Sequence, residues 1–127
     1  MKTIERNSDK LVWYIPDCEM PPRGDNEDIF GHESVIILNP CEQDAHIKIT
    51  LYFADKEPIR NIDCLVEAER VRCLRTYNKD DFGGHEIPLE VQYAMKLESD
   101  VPVVIQYGRL DVRQPNMAFY TTLGATL

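Results

Sequence analysis

The sequence lacks any apolar run long enough to cross a membrane. Its longest aliphatic stretches are Val35-Ile36-Ile37-Leu38 and Val103-Val104-Ile105, whereas a membrane-spanning helix needs about 20 predominantly apolar residues. The first ten residues, MKTIERNSDK, contain no apolar segment of the kind found in secretory signal peptides. We therefore expect a cytoplasmic protein that does not insert into a membrane.

Cysteine pairs with metal-binding spacing are also absent. The four cysteines are Cys18, Cys41, Cys64 and Cys73, and no two of them form the C-x-x-C unit of structural zinc sites. Because cytoplasmic thiols remain reduced, we expect four free cysteines, no bound metal and no cofactor.

The sequence contains none of the standard catalytic or phosphate-binding motifs. It has no G-x-S-x-G, no Walker A and no G-x-G-x-x-G motif, and His32-Glu33 is not followed by the second histidine of H-E-x-x-H. These absences favour a non-enzymatic function, and we assign no catalytic residue.

Positive charge is scarce. The 127 residues include 22 acidic and 14 basic side chains, for a net charge of -8. Such a chain has no general attraction for phosphate backbones, which disfavours nucleic acid as a partner. The local exception is a basic stripe of Arg70, Arg72 and Arg75, so a DNA-binding regulator stays open as the least favoured alternative.

Short strands with alternating polar and apolar residues dominate the chain. The length fits a single domain, residues 1–127, and the pattern is typical of an all-β sandwich or barrel. A long loop at residues 16–31 and a flexible segment of about nine residues at the start, 1–9, lack this pattern. The predicted strands are 10–15, 33–38, 46–53, 61–66, 69–77, 87–97, 101–113 and 116–125.

Several segments resemble the sensory rhodopsin transducer family in the same order along the chain. They include WYIP at 13–16, HESVIILN at 32–39 and AHIKITLYF at 45–53. The most specific is RLDVRQ at 109–114, because charged residues are unusual on so apolar a strand. The resemblance implies an antiparallel β-sandwich, here of about eight strands, that is soluble and assembles as a homotetramer. It implies no catalytic residues.

The predicted strand 101–113 changes from apolar to charged along one face. Alternation places Arg109, Asp111 and Arg113 about 6–7 Å apart in succession on that face. Asp111 is then expected to accept hydrogen bonds from both guanidinium groups. Such a row could hold an anionic or polyhydroxyl ligand, or it could form an ion-pair ladder on the sheet or at a subunit interface.

Three further residues complete the predicted ligand-binding site. His32 and Glu33 directly follow the long loop, a location where loops commonly supply binding residues. Trp13 lies next to the same loop, where its ring could stack on a sugar. The alternatives are a core position for Trp13 and structural hydrogen bonds for His32 and Glu33.

These observations predict a non-enzymatic signalling module that binds a small polar ligand, such as a carbohydrate, or a protein partner as a homotetramer. The alternative is a carbohydrate-active enzyme or enzyme-derived domain that uses the carboxylates Glu33 and Asp111. That function requires two carboxylates about 5–10 Å apart across a cleft.

Overall fold

The computed structural model describes residues 11–114 and 116–127. It contains two four-stranded antiparallel sheets, with strand orders β1-β6-β3-β4 and β5-β2-β7-β8. The predicted antiparallel β-sandwich of about eight strands is therefore confirmed. The strands are β1 (Val12–Glu19), β2 (His32–Asn39), β3 (Ala45–Phe53), β4 (Ile59–Val66), β5 (Arg70–Arg75), β6 (Gln92–Ser99), β7 (Val104–Asp111) and β8 (Ala118–Leu123).

Alternation along the strands creates the core. In β3, Ile47, Ile49 and Leu51 are buried, whereas His46 and Lys48, which alternate with the first two, are exposed. Successive side chains of a strand point to opposite faces, so each sheet turns one apolar face towards the other. A short 3₁₀ helix, Lys79–Phe82, adds the buried ring of Phe82 to this core.

Strand β1 continues through residues 16–19, which the sequence assigns to the long loop. The pairing with β6 passes from Ile15 opposite Met95 to Cys18 opposite Tyr93, so the strand bulges between these pairs. Proline has no backbone N–H and is tolerated at a bulge of an edge strand. Pro16 therefore does not end β1, and the loop before β2 is shorter than predicted.

The predicted flexible segment at residues 1–9 lies outside the described residues. None of the helices in the described part of the chain has the length and apolar character needed to span a bilayer.

The register of the strands brings inward-facing polar residues together at one end of the sandwich. Glu33 of β2 is paired with Arg109 of β7, and Arg109 is paired in turn with Tyr120 of β8. In the other sheet, Cys18 is paired with Tyr93. These positions define the part of the fold in which polar chemistry is concentrated.

Candidate functional site

Glu33 is a carboxylate enclosed in the core, with 0% of its surface exposed. The Tyr93 hydroxyl donates to Oε1 at 2.6 Å, the Glu19 backbone N–H donates to Oε2 at 2.9 Å, and the Tyr107 hydroxyl also donates to Oε2. A buried carboxylate without partners would be strongly destabilising. The three donors explain how the fold accommodates Glu33 there.

The environment changes the acidity of the groups around Glu33. Burial raises the pKa of the Glu33 carboxyl above its usual value, although the hydrogen bonds from Tyr107, Tyr93 and Glu19 oppose this effect. Burial and the neighbouring Glu33 charge raise the pKa of both tyrosine hydroxyls. Both tyrosines therefore remain protonated and act as donors at neutral pH.

Arg109 lies beside this cluster with an unsatisfied donor. Its Nε donates to the Tyr107 hydroxyl oxygen at 3.2 Å. Its guanidinium carbon lies 5.9 Å from the centre of the Tyr107 ring and 5.3 Å from that of the Tyr120 ring. The Nη2 atom is buried and has no hydrogen-bond partner among the described residues. A buried donor of this kind is costly to leave unpaired.

A cleft of about 250 Å³ opens beside the two rings, between β1 and β8. Tyr107 and Tyr120 line it together with Asp17, which the β1 bulge carries, and Thr122. We call this space the β1–β8 cleft. The other four lining residues, Ile15, Pro16, Leu123 and Ala125, are apolar. The wall therefore combines apolar surface with aromatic rings, hydroxyl groups and one carboxylate, a combination suited to a small ligand with both polar and apolar faces.

The structure brings two of the six predicted site residues, Glu33 and Arg109, together. Trp13 is only 4% exposed and belongs to the core. It also lies so close to Gly124 that a Cβ atom at that position would come within 3.1 Å of its ring. This close approach accounts for a glycine opposite the indole.

His32 lies on the other face of β2 from Glu33. Its Nδ1 donates to the Phe30 carbonyl at 2.8 Å, and its Nε2 accepts from Arg75 Nη1 at 3.3 Å. Because a carbonyl only accepts and a guanidinium only donates, these contacts fit the neutral ring protonated at Nδ1. The ring also contacts Tyr77 edge-on, with 5.8 Å between ring centres.

Asp111 does not bridge Arg109 and Arg113 as expected. Arg113 Nε donates to both oxygens of Asp111 at 3.0 and 2.9 Å, whereas Arg109 Nε bonds to Tyr107. The physical reason is that β7 ends at Asp111. The chain then turns, and the Arg113 backbone N–H also donates to Asp111, at 2.9 Å. These hydrogen bonds from Arg113 lower the pKa of Asp111.

The two carboxylates of the enzyme alternative lie in different environments. Glu33 is enclosed by tyrosines in the core, and Asp111 is bonded to Arg113 at the surface. A glycosidase mechanism requires both carboxylates to face one substrate cleft.

The basic stripe on β5 is held by contacts within the chain. Arg70 Nη1 donates to the Glu69 carbonyl at 3.1 Å, and Arg72 Nη1 donates to the Leu65 carbonyl at 2.8 Å. Together with the contact between Arg75 and His32, these bonds occupy part of each guanidinium.

The sequence prediction missed Tyr93, Tyr107, Tyr120 and Asp17. One feature of the sequence could have pointed to the tyrosines. Glu33 alternates in phase with the apolar residues Val35 and Ile37 of β2, and a carboxylate on an inward face must find hydrogen-bond donors. Buried tyrosines commonly bring a hydroxyl to such a partner. Which tyrosines meet Glu33 depends on pairing between distant strands.

Comparison with known proteins identifies the family. The sequence profile of the Anabaena sensory rhodopsin transducer family matches residues 8–126. Among solved structures, the crystal structure of Thermotoga maritima 1070 is 33% identical, covers 90% of this chain and 91% of its own, and superposes with a TM-score of 0.78. The Anabaena sensory rhodopsin transducer is 36% identical over 84% of this chain and 92% of its own, with a TM-score of 0.69. No match was found among curated proteins. The chain belongs to the Anabaena sensory rhodopsin transducer family.

Proposed function

We propose that this protein is a non-enzymatic signalling module that binds a small hydroxylated ligand, such as a carbohydrate, in the β1–β8 cleft and acts as a cytoplasmic homotetramer. The observation that carries the ligand proposal is the buried Arg109 Nη2 without a hydrogen-bond partner among the described residues. The guanidinium carbon of Arg109 lies 5.9 and 5.3 Å from the centres of the Tyr107 and Tyr120 rings, which line the cleft, whereas Arg109 itself is not a lining residue.

The chemistry of the cleft supports a neutral polyhydroxyl ligand. A sugar hydroxyl in the cleft can donate to Asp17, and it can accept from Arg109 once the Tyr120 ring moves aside to expose Nη2, because each hydroxyl both donates and accepts. The exposed ring of Tyr120, 44% accessible, offers a flat surface for the apolar face of a sugar. Asp17 and Arg109 carry opposite charges, so the site has no net preference for an anion.

The signalling role is supported by the relative named as a transducer of a sensory rhodopsin. For this chain we propose the more general role of relaying ligand occupancy to a protein partner. Strand β7 provides a route, since Tyr107 and Arg109 lie on its inner side while its other face looks away from the core.

Self-association is supported by the outer face of the β5-β2-β7-β8 sheet. Leu38 is paired with Val71 on one side and with Val104 on the other, and all three are exposed. Phe119 and Leu123 of β8 are 67% and 64% accessible and continue this face. Exposed apolar residues grouped on one sheet face are a feature of protein interfaces, and we propose a second copy of this chain as the occupant of this face.

The ligand proposal is tested by calorimetric titration with glucose, galactose and mannose. We expect saturable binding of at least one sugar by the wild type and loss of that binding in Arg109→Gln. Arg113→Gln is the matched control, because it removes the same charge from the same chain segment outside the cleft. Binding of none of the three sugars, or equal loss in both variants, would contradict the proposal.

A further inference from the structure

A second cleft, of about 490 Å³, lies among three connections of the chain. The loop before β2 contributes Arg23, the turn between β3 and β4 contributes Lys56, and the segment between β5 and β6 contributes Lys79. None of its lining residues also lines the β1–β8 cleft. We call it the basic cleft.

The basic cleft reverses the charge of the protein locally. Arg23, Lys56 and Lys79 line it with a single carboxylate, Glu86, although the whole chain has a net charge of -8. None of the three cations forms an ion pair with a carboxylate of the described residues. The cleft therefore presents three positive charges against one negative charge, which favours an occupant with about two negative charges.

Aromatic rings hold two of these cations in place. The Arg23 guanidinium carbon lies 4.0 Å from the centre of the Phe30 ring, and the Lys56 ammonium lies 4.3 Å from that of the Phe53 ring. Cation–π contacts position a positive charge without neutralising it. Both groups keep their charge available for an anion.

The apolar residues of the lining are Met20, Ile87, Pro88 and Leu89, and we call them the apolar floor of the cleft. Met20 and Leu89 form a β-bridge, in which the Glu90 N–H donates to the Met20 carbonyl at 2.8 Å. Thr76 also lines the cleft. Its Oγ1 donates to the Met20 sulfur at 3.2 Å and accepts from the Glu33 backbone N–H at 3.2 Å. Such a floor packs against a carbon skeleton, whereas an inorganic ion would make no use of it.

We infer that the basic cleft binds a small organic dianion, a phosphate monoester or a dicarboxylate. Its anionic groups pair with Arg23, Lys56 and Lys79, and its carbon skeleton packs on Met20 and Leu89. This site is separate from the proposed sugar site and does not depend on it.

Calorimetric titration with phenyl phosphate and with phthalate tests the inference. Both probes are aromatic dianions, so the tighter one distinguishes a phosphate monoester from a dicarboxylate as the preferred class. Inorganic phosphate is expected to bind more weakly than phenyl phosphate, because it makes no contact with the apolar floor.

The variant Lys56→Gln/Lys79→Gln is expected to weaken binding of the tighter probe at least about tenfold, which corresponds to about 1.4 kcal/mol. Lys48→Gln is the control, since Lys48 is an exposed lysine paired with Asp63 away from the cleft. Failure of both organic probes to bind the wild type, or equal loss in the control, would overturn the inference. Arg109→Gln should leave phenyl phosphate binding unchanged, which separates this site from the sugar site.

Discussion

Glu33 and Arg109 are direct neighbours across β2 and β7, and the Tyr107 hydroxyl joins their side chains. Arg109 donates to the hydroxyl oxygen, and the hydroxyl in turn donates to Glu33. This direction of donation stabilises the charged form of Glu33, whereas burial favours its neutral form. The proposed ligand would contact Arg109, so its binding would alter the hydrogen bonding of the Glu33 carboxylate without touching Glu33.

Glu33→Gln is expected to remove one component of the pH dependence of stability. The pKa of Glu33 is raised in the folded protein above the ordinary value of 4.5, so the native state holds the proton more tightly than the unfolded state. This contribution is complete below the unfolded pKa and is lost as the pH rises through the folded pKa. The stability of the wild type relative to the variant should therefore fall with rising pH.

Urea unfolding of both proteins between about pH 4 and about pH 8 measures this difference. Glu57→Gln, a change at an exposed turn residue, is the control and should follow the wild-type profile. A difference between wild type and Glu33→Gln that stays constant with pH would contradict the prediction.

Tyr107→Phe is expected to destabilise the protein by about 1–3 kcal/mol, the usual cost of leaving buried polar groups unpaired. The change removes a donor to Glu33 and the acceptor of Arg109 Nε at once. Tyr93→Phe removes only a donor to Glu33 and should cost less. Unfolding midpoints in urea measure the two losses of stability. Tyr77→Phe, which changes a half-exposed ring, is the control. A larger loss for Tyr93→Phe would show that the Tyr107 hydroxyl is not the central link.

Alternation along each strand predicted an all-β sandwich or barrel, and the family resemblance narrowed this to an antiparallel sandwich, but the site depends on which strands meet. The apolar phase of β3 and the inward positions of Ile105 and Tyr107 on β7 follow from a period of two residues. The pairing of Glu33 with Arg109 follows from the register of β2 and β7, two strands that are far apart in the sequence. The sequence of either strand alone does not show which of its residues are paired.

Two boundary errors had local physical causes. The proline at position 16 suggested the end of a strand, yet the β1 bulge absorbs it and places Asp17 at the edge of the cleft. The predicted Arg-Asp-Arg row required a straight strand through Arg113, but β7 ends at Asp111. In the turn that follows, Asp111 accepts hydrogen bonds from Arg113 and not from Arg109.

The Cys18 thiol is expected to be unreactive in the folded protein. Burial, aided by the nearby Glu33 charge, raises the pKa of Cys18 far above its ordinary value. The thiolate is the reactive form, so a disulfide reagent at about pH 8 should reach Cys18 only after denaturation. Mass spectrometry of peptides after timed labelling, with and without urea, measures the modification of Cys18. Rapid labelling of Cys18 in the native protein would contradict the prediction.

Phe119→Glu is expected to weaken the homotetramer while leaving the sandwich folded. Phe119 is 67% accessible on the outer face of the β5-β2-β7-β8 sheet, so a charge there would be buried only in the assembly, where an unpaired carboxylate is costly. Leu65→Glu is the matched control, because Leu65 is an exposed leucine of β4 in the other sheet.

Sedimentation velocity should give four times the 14.7 kDa chain mass for the wild type and the control, and a smaller species for Phe119→Glu. A wild-type monomer would refute the proposed tetramer. If Leu65→Glu disrupted the tetramer and Phe119→Glu did not, the interface would lie on the opposite sheet.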